Sequence, residues 1–279
     1  MSLFNVYLNG QSITVNGNII VTDIVEEPVE QEIYKSKKAA GPGQRVSQIT
    51  RRGLSVRVTY VIRERDPFKR AETLDRVAGW AQNGGTLSVS YRSWTEVNDF
   101  GFHVTRRRQL PRVVLTTPPA LNSSLKWTQD LTMVFTAYDC PYWEDDKENS
   151  VGIRTELDTA SGVYTAESEI HTLGTAEKSP VWGVISSDGT DALQSVSVQI
   201  GESLFRFSGL GEYNTYFVII RYNAQTGLLE IAAENGTSLM AAREAVSTDE
   251  LYVVPGANIV TVMSSTKVDV TLTYKERYK

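Results

Sequence analysis

Cysteine is almost missing from this chain of 279 residues. Cys140 stands alone, so an intrachain disulfide is excluded and folding in a reducing cytosol is expected. Histidine is nearly as scarce. His103 and His171 lie far apart, and neither has a second ligand at metal-binding spacing. A protein metal site takes three or four suitable ligands, so none is expected here. No apolar run approaches the roughly 20 residues that cross a bilayer, and no membrane partner is expected. The opening segment "MSLFNVYLNGQ" has neither a basic stretch nor an apolar one, so a secretory leader is not expected. The net charge of −5 argues against a surface built to bind nucleic acid, and leaves room only for local basic patches. A Gly-x-Ser-x-Gly elbow, a Walker loop and a dinucleotide fingerprint are all absent. The Gly-rich "GPGQR" at 41–45 lacks the Gly-Lys-Ser/Thr ending that grips phosphate. Neither a cofactor nor an enzyme activity is expected.

What the chain does have is alternation. Hydrophobic residues make up 41 % and charged residues 22 %, a balance that predicts a globular chain rather than a disordered one. The apolar residues recur at period two, the mark of half-buried strands. "LSVRVTYVIR" sets Leu54, Val56, Val58, Tyr60 and Ile62 on one face, with Ser55, Arg57, Thr59 and Arg63 on the other. "TLSVSYR" repeats the pattern with Leu87, Val89 and Tyr91, and "LTMVFTA" with Leu131, Met133, Phe135 and Ala137. Asn-Gly pairs at 9–10, 16–17, 83–84 and 235–236 supply turns that accept positive φ. A mainly β protein is expected.

One segment departs from this. "RDPFKRAETLDRVAGWAQNGG" predicts a single helix over about 67–82. Asp66 suits the N-cap and Pro67 the first helical position. Phe68, Ala71, Leu74, Ala78 and Ala81 form an apolar stripe at spacings of three and four. Asn83-Gly84-Gly85 is expected to stop the helix in left-handed conformations. The texture changes near "AYDCPYWEDDKENS", and a domain boundary is placed at residue 143. Residues 1–143 are expected to form a β-sandwich or roll with one packed helix. After a short linker, residues 144–279 carry strand-sized segments at short intervals, which predict an antiparallel β-sandwich. "SLMAAREAV" is the one short helical candidate there.

Several charged or aromatic groups need a reading. Glu144, Asp145, Asp146 and Glu148 lack the alternating ligands and sharp Gly turn of a calcium loop, and are read as a solvated linker. Arg106-Arg107-Arg108 would alternate across a strand, so a surface or interface role is expected. Trp80, Trp94, Trp127, Trp143 and Trp182 could build a sugar-stacking platform, but tryptophans in β-rich proteins more often serve the core or an interface.

The order of these pieces resembles a family. "LSVRVTYVI", the helix with "DRVAGWAQ", "GGTLSVSYR" and the long strand ending "LTMVFTAYDCPYWED" follow one another as in the N-terminal domain of phage distal tail proteins of siphovirus-type tails. Asp139, Pro141, Tyr142 and Trp143 resemble that family's exit from the first domain. "VWGVISSDGT", "FRFSGLGEYNTYFVIIRYNAQTGLLEI" and "STDELYVVPGANIVTVMSSTKVDVTLTYKERY" resemble its second, galectin-like sandwich. The resemblance implies a structural virion protein of a phage or prophage tail, probed by no single motif but by order and spacing over nearly the whole chain. It implies a homo-oligomeric ring, hexameric in the family, at the virion tail tip. The ring would join the tail tube protein to the tail-associated hub or baseplate and carry receptor-binding proteins. Assembly would take place in the host bacterial cytoplasm.

The stretch over 26–53 fits such a role. Glu26, Glu27, Glu30 and Glu32 are followed by Lys35, Lys37, Lys38, Arg45, Arg51 and Arg52. It is too long for a hairpin loop of about two to five residues. The family resemblance implies an extended arm that reaches the neighbouring subunit. A closed ring requires two different, complementary patches on each copy, and charge of both signs suits that need. Two alternatives stay open: a carbohydrate-binding module for attachment to the host surface, and a tube or hub subunit of a related tail-like particle.

Overall fold

The computed structural model describes residues 4–27, 30–37, 44–91, 95–97, 103–105, 107–120, 130–138, 142–189, 191–223 and 228–278. For 30–37, 44–52, 91, 95–97, 103–105 and 228 it describes the backbone alone. The protein is mainly β, and its strands pair antiparallel. The chain divides into two compact units, 1–146 and 147–279.

The first unit contains β1 (Phe4–Leu8), β2 (Gln11–Ser12), β3 (Ile19–Glu27), β4 (Glu30–Lys37), β5 (Gln44–Arg52) and β6 (Leu54–Ile62). Helix α1 (Pro67–Gln82) follows, then β7 (Gly85–Tyr91), β8 (Thr95–Val97), β9 (His103–Thr105), β10 (Arg108–Thr117), β11 (Leu131–Ala137) and the start of β12 (Trp143–Arg154). The sheet runs β3-β6-β11-β10, with β7 on β10 and β1 on β7. β10 pairs with β7 along one edge, from Arg108 to Val113, and on its other edge with β12 at Arg108 and Gln109 and with β11 from Val113 to Thr117. The register against β7 shifts between Leu110 and Val113, where Arg112 takes φ +54°. Such a bulge bends and twists the strand locally. The alternation expected for β6 and β11 is present. Leu54, Val56, Val58, Tyr60 and Ile62 are buried, as are Leu131, Met133, Phe135 and Ala137. Burying one such aliphatic or aromatic side chain is worth about 1.5–3 kcal/mol, so these faces dominate the stability of the sheet.

α1 is the one α-helix among the described residues. Asp66 caps it, its carboxylate accepting from the Phe68 N–H at 2.9 Å, and Pro67 opens it. Its buried face is not the expected stripe. Arg70, Thr73, Leu74, Val77 and Ala81 are buried, while Phe68 is 82 % exposed. Apolar residues at spacings of three and four describe two overlapping faces, and tertiary contacts choose between them. Thr73 packs on Gly17, where an added Cβ would stand 2.8 Å from its methyl. Arg70 turns inward because its guanidinium donates to the carbonyls of Glu64 (3.0 Å) and Arg65 (3.2 Å). Trp80 meets Phe135 edge-on at 6.4 Å and ties the helix to β11. The helix stop differs by one residue. Asn83 remains right-handed, and Gly84 (φ +60°) and Gly85 (φ +124°) make the turn.

The second unit comprises the rest of β12, β13 (Glu156–Asp158), β14 (Val163–Thr172), β15 (Ser179–Ser187), β16 (Val196–Ile200) and β17 (Ser203–Phe207). β18 (Phe217–Asn223), β19 (Leu228–Ala232), β20 (Tyr252–Val253), β21 (Gly256–Ser264) and β22 (Val268–Tyr278) complete it. Two antiparallel layers, β19-β18-β15-β22-β12 and β13-β14-β21-β16-β17, enclose one core that includes Ile185, Val198, Phe205, Ile220, Val262 and Leu272. The unit is a β-sandwich. The helical candidate in "SLMAAREAV" is only a 3-10 turn, Met240–Ala242. Asn258, 4 % exposed, locks the turn into β21: its side chain accepts from Val254 N–H at 2.8 Å and donates to the Val254 and Gly256 carbonyls at 2.8 and 3.0 Å.

Candidate functional site

The charged stretch over 26–53 is built as a hairpin. β3 and β6 pair from Ile19↔Ile62 to Glu27↔Ser55, and the chain then continues into β4 and β5, which pair with each other. Among the described residues β4 and β5 join no other strand. Gly53 sits at the junction of β5 and β6 with φ +61°, and an added Cβ there would lie 2.9 Å from the Ala137 carbonyl oxygen. Glycine is therefore the residue that lets the chain pass from the sheet into the hairpin.

Register arranges the charge along this element. Glu30 stands opposite Arg52 and Gln31 opposite Arg51, at the end nearer the sheet. Lys35 pairs with Val46, Ser36 with Arg45 and Lys37 with Gln44, toward the turn. Glu32 stands opposite Thr50. Lys38 and residues 39–43 lie outside the described residues. On the sheet side, Glu27 is ion-paired with Arg57 across β3 and β6, and Glu26 is exposed. Acidic and basic residues are thus interleaved across one hairpin near its base, and the outer part carries lysine and arginine. An isolated two-stranded hairpin is marginal in water, so an element of this kind gains from a partner surface.

The exit from the first unit is partly described. Asp139 and Pro141 lie outside the described residues, Tyr142 is half-buried and Trp143 is buried. The acidic run after it is split: Asp146 and Glu148 are exposed, as read from the sequence, but Glu144 and Asp145 are not part of a solvated linker. Glu144 and Asp145 are 7 % and 8 % exposed, because β12 begins at Trp143 and pairs Asp145 with Arg108 and Glu144 with Gln109. Partial burial and then the neighbouring Asp145 carboxyl raise the pKa of Asp146, and the Arg107 guanidinium opposes them. Arg107 itself lies over the Tyr7 ring at 4.6 Å. Arg106 is outside the described residues. Strand pairing with β10 is what brought the carboxylates in, and nothing in the local sequence marks it.

The tryptophans among the described residues form no open platform. Trp80 and Trp182 are half-buried, Trp143 is buried, and Trp94 and Trp127 lie outside the described residues. Trp182 stacks on Tyr222 at 5.7 Å and packs against the sandwich core. His103 belongs to β9 and the exposed His171 to β14, in different units. Among the described residues no three His, Cys, Asp or Glu side chains gather at metal-binding distance. No helix among them is long and apolar enough to cross a membrane.

These features define a mainly β protein of two units, a helix-bearing sheet and a sandwich, with a charged hairpin outside both sheets. A solved structure shares this fold along its full length. The crystal structure of the Dit protein of phage SPP1, described as a paradigm of the hub adsorption apparatus in phages infecting Gram-positive bacteria, aligns over 100 % of both chains with a TM-score of 0.64 at 11 % identity. Two structures of the phage P2 baseplate in its activated conformation, with Ca and with Sr, align more loosely. Their TM-scores are 0.44 and 0.41 at 10 % and 9 % identity, covering 98 % and 93 % of this chain and 97 % of each of theirs. No protein-family model matches the chain, and no curated protein matches it.

Proposed function

We propose that this chain is a distal tail protein, a structural subunit that closes into a ring at the tip of a phage tail. The observation that carries the reading is the fold shared with the SPP1 Dit protein over the whole of both chains. The first unit with its helix builds the ring, and the second, a galectin-like sandwich, faces the periphery. The ring, hexameric in this reading, joins the tail tube protein to the hub and offers docking places to receptor-binding proteins. The subunits assemble in the host bacterial cytoplasm and end in the virion tail.

The hairpin β4–β5 is the arm between neighbours. Its backbone pairs with no other strand among the described residues, and its outer part is basic, so an acidic surface on the next copy is its complement. Charge of this kind sets register and partner choice more than affinity. The test is mass in solution by light scattering, with negative-stain images. The intact chain is expected at six times the 31.0 kDa subunit mass, with a central channel. Removing residues 34–50 shortens the hairpin and leaves β3 and β6 paired, and is expected to leave monomers or small open oligomers. Rings of unchanged size and stability after that deletion would show that the hairpin is not the arm.

A further inference from the structure

The outer face of the β13-β14-β21-β16-β17 layer is uncovered in the single chain, and strand alternation decides what it carries. Ile170, Val260 and Val262 point into the sandwich core, so Glu167, Glu169 and Ile259 point away from it. Register sets these side by side: Glu169 pairs with Ile259, Glu167 with Thr261 and Thr165 with Met263. Glu156 joins the row of Met263 through Thr165. Near Ile259, the Gly201 N–H donates to the Ile259 carbonyl at 3.1 Å, which brings the exposed Glu202 alongside.

Two features mark this face as an interface. Ile259 and Met263 stand on its central strand, each 46 % exposed. The carboxylates around them have no counter-ion. Glu156, Glu167, Glu169 and Glu202 are exposed, and none has an ion-pair partner among the described residues. Arg206, on β17, is ion-paired with Glu244 at 3.3 Å and brings no net positive charge. An apolar centre rimmed by carboxylates suits a partner whose apolar residues are flanked by lysine and arginine, because interfaces pair opposite potentials around a drier core.

The hairpin β4–β5 fits that description. It sets Ile33 opposite Ile49, and Lys35, Lys37, Lys38 and Arg45 follow toward its turn. Strands of 8 and 9 residues reach about 26–30 Å. β14 and β21 pair over a stretch of matching length, from Tyr164↔Ser264 to Thr172↔Gly256. A ribbon of strands laid on a sheet is ordinary face-to-face β packing. The hairpin joins no other strand among the described residues, so such a seat supports an element that is marginal alone. We infer that the hairpin β4–β5 of one copy docks on the β14–β21 face of another copy. Its lysines and arginine meet Glu167 and Glu169, and Ile33 and Ile49 supply the apolar part for Ile259 and Met263. This rests on the reading of the hairpin as an arm between neighbours, and names the surface that the arm reaches.

The test uses the full chain. Glu167→Lys with Glu169→Lys reverses the face, and Lys35→Glu with Lys37→Glu reverses the hairpin. Either pair is expected to raise the concentration at which oligomers form about tenfold or more, read by light scattering. All four together are expected to restore assembly. Glu212→Lys with Glu234→Lys, exposed carboxylates elsewhere in the second unit, is expected to change nothing. The thermal midpoint of each variant reports folding. Contact is read by cross-linking. Chains carrying Cys140→Ser and either Ser36→Cys or Thr261→Cys are mixed and treated with a short bis-maleimide. A link between the two is expected, and its loss when Glu167 and Glu169 are reversed. A ring that forms without the link, or assembles equally well after that reversal, overturns the docking and leaves the ring reading standing. A link that forms without a ring, and is lost on the reversal, overturns the ring reading and leaves the docking standing. Neither ring nor link overturns both. Oligolysine that suppresses the link as well as a peptide of residues 30–52 would show a face that takes any polycation, and overturns the choice of the hairpin.

Discussion

At Tyr60 the alternation of β6 drives a phenol into the core, where it is fully buried and its hydroxyl has no hydrogen-bond partner among the described residues. Burial alone pushes its pKa well above the ordinary tyrosine range. A buried polar atom without a partner costs about 1–3 kcal/mol, so Tyr60→Phe is expected to keep the fold and to raise stability by up to about 1 kcal/mol, measured by urea denaturation. A loss of more than that would reveal a partner for the hydroxyl. Asp146 makes a prediction in pH. Its folded pKa is raised, first by partial burial and then by Asp145, so the folded state holds the proton more tightly than the unfolded state. For a raised carboxyl the stabilisation is present below the unfolded value and fades as pH climbs through the folded one. Asp146→Asn removes that loss. Its melting temperature is expected to gain on the native chain between pH 4 and pH 7; an unchanged difference would contradict the assignment.

Elements were legible where period and cap agreed. Strand β6, strand β11 and helix α1 could be read because apolar spacing, Asp66, Pro67 and the closing glycines all point one way. The buried face of α1 could not, because Arg70 and Thr73 are drawn inward by carbonyls and by Gly17, which are distant or non-helical partners. The charged stretch was recognisable as an excursion from the sheet, but its form was not. Alternation is weak in "EIYKSKKAAGPGQRV", and pairing of β4 with β5 is set by continuation of the β3–β6 register through Gly53. That junction is testable. Gly53→Ala forces a side chain into a left-handed position and against the Ala137 carbonyl, and is expected to cost about 1–3 kcal/mol by thermal or urea denaturation. A neutral result would mean that β11 can yield there.

At the scale of the molecule, charge is divided unevenly. Residues 1–146 contain 18 Lys or Arg and 16 Asp or Glu, while 147–279 contain 10 and 17, so the two units carry +2 and −7. Six of the 18 basic residues lie between Lys35 and Arg52. The hairpin therefore supplies the excess of positive charge in the first unit, and an acidic complement is abundant on every copy. Such a distribution favours association between copies over binding to a polyanion, which would meet a chain of net −5. The ring mass and the hairpin deletion test this at the level where it operates, since a ring interface exists only between molecules.

The amino-acid sequence by itself determined the class of the protein: mainly β, one capped helix, no disulfide, and a charged excursion between two strands. These follow from local spacing and from residue types whose backbone preferences need no distant partner. Tertiary structure alone decided which face of α1 is buried, why Glu144 and Asp145 are covered, and that β4 and β5 pair only with each other. It also decided that Glu167, Glu169, Ile259 and Met263 share one uncovered face. Each of these depends on contacts between residues far apart in the chain, and periodicity carries no information about which distant strand will lie alongside.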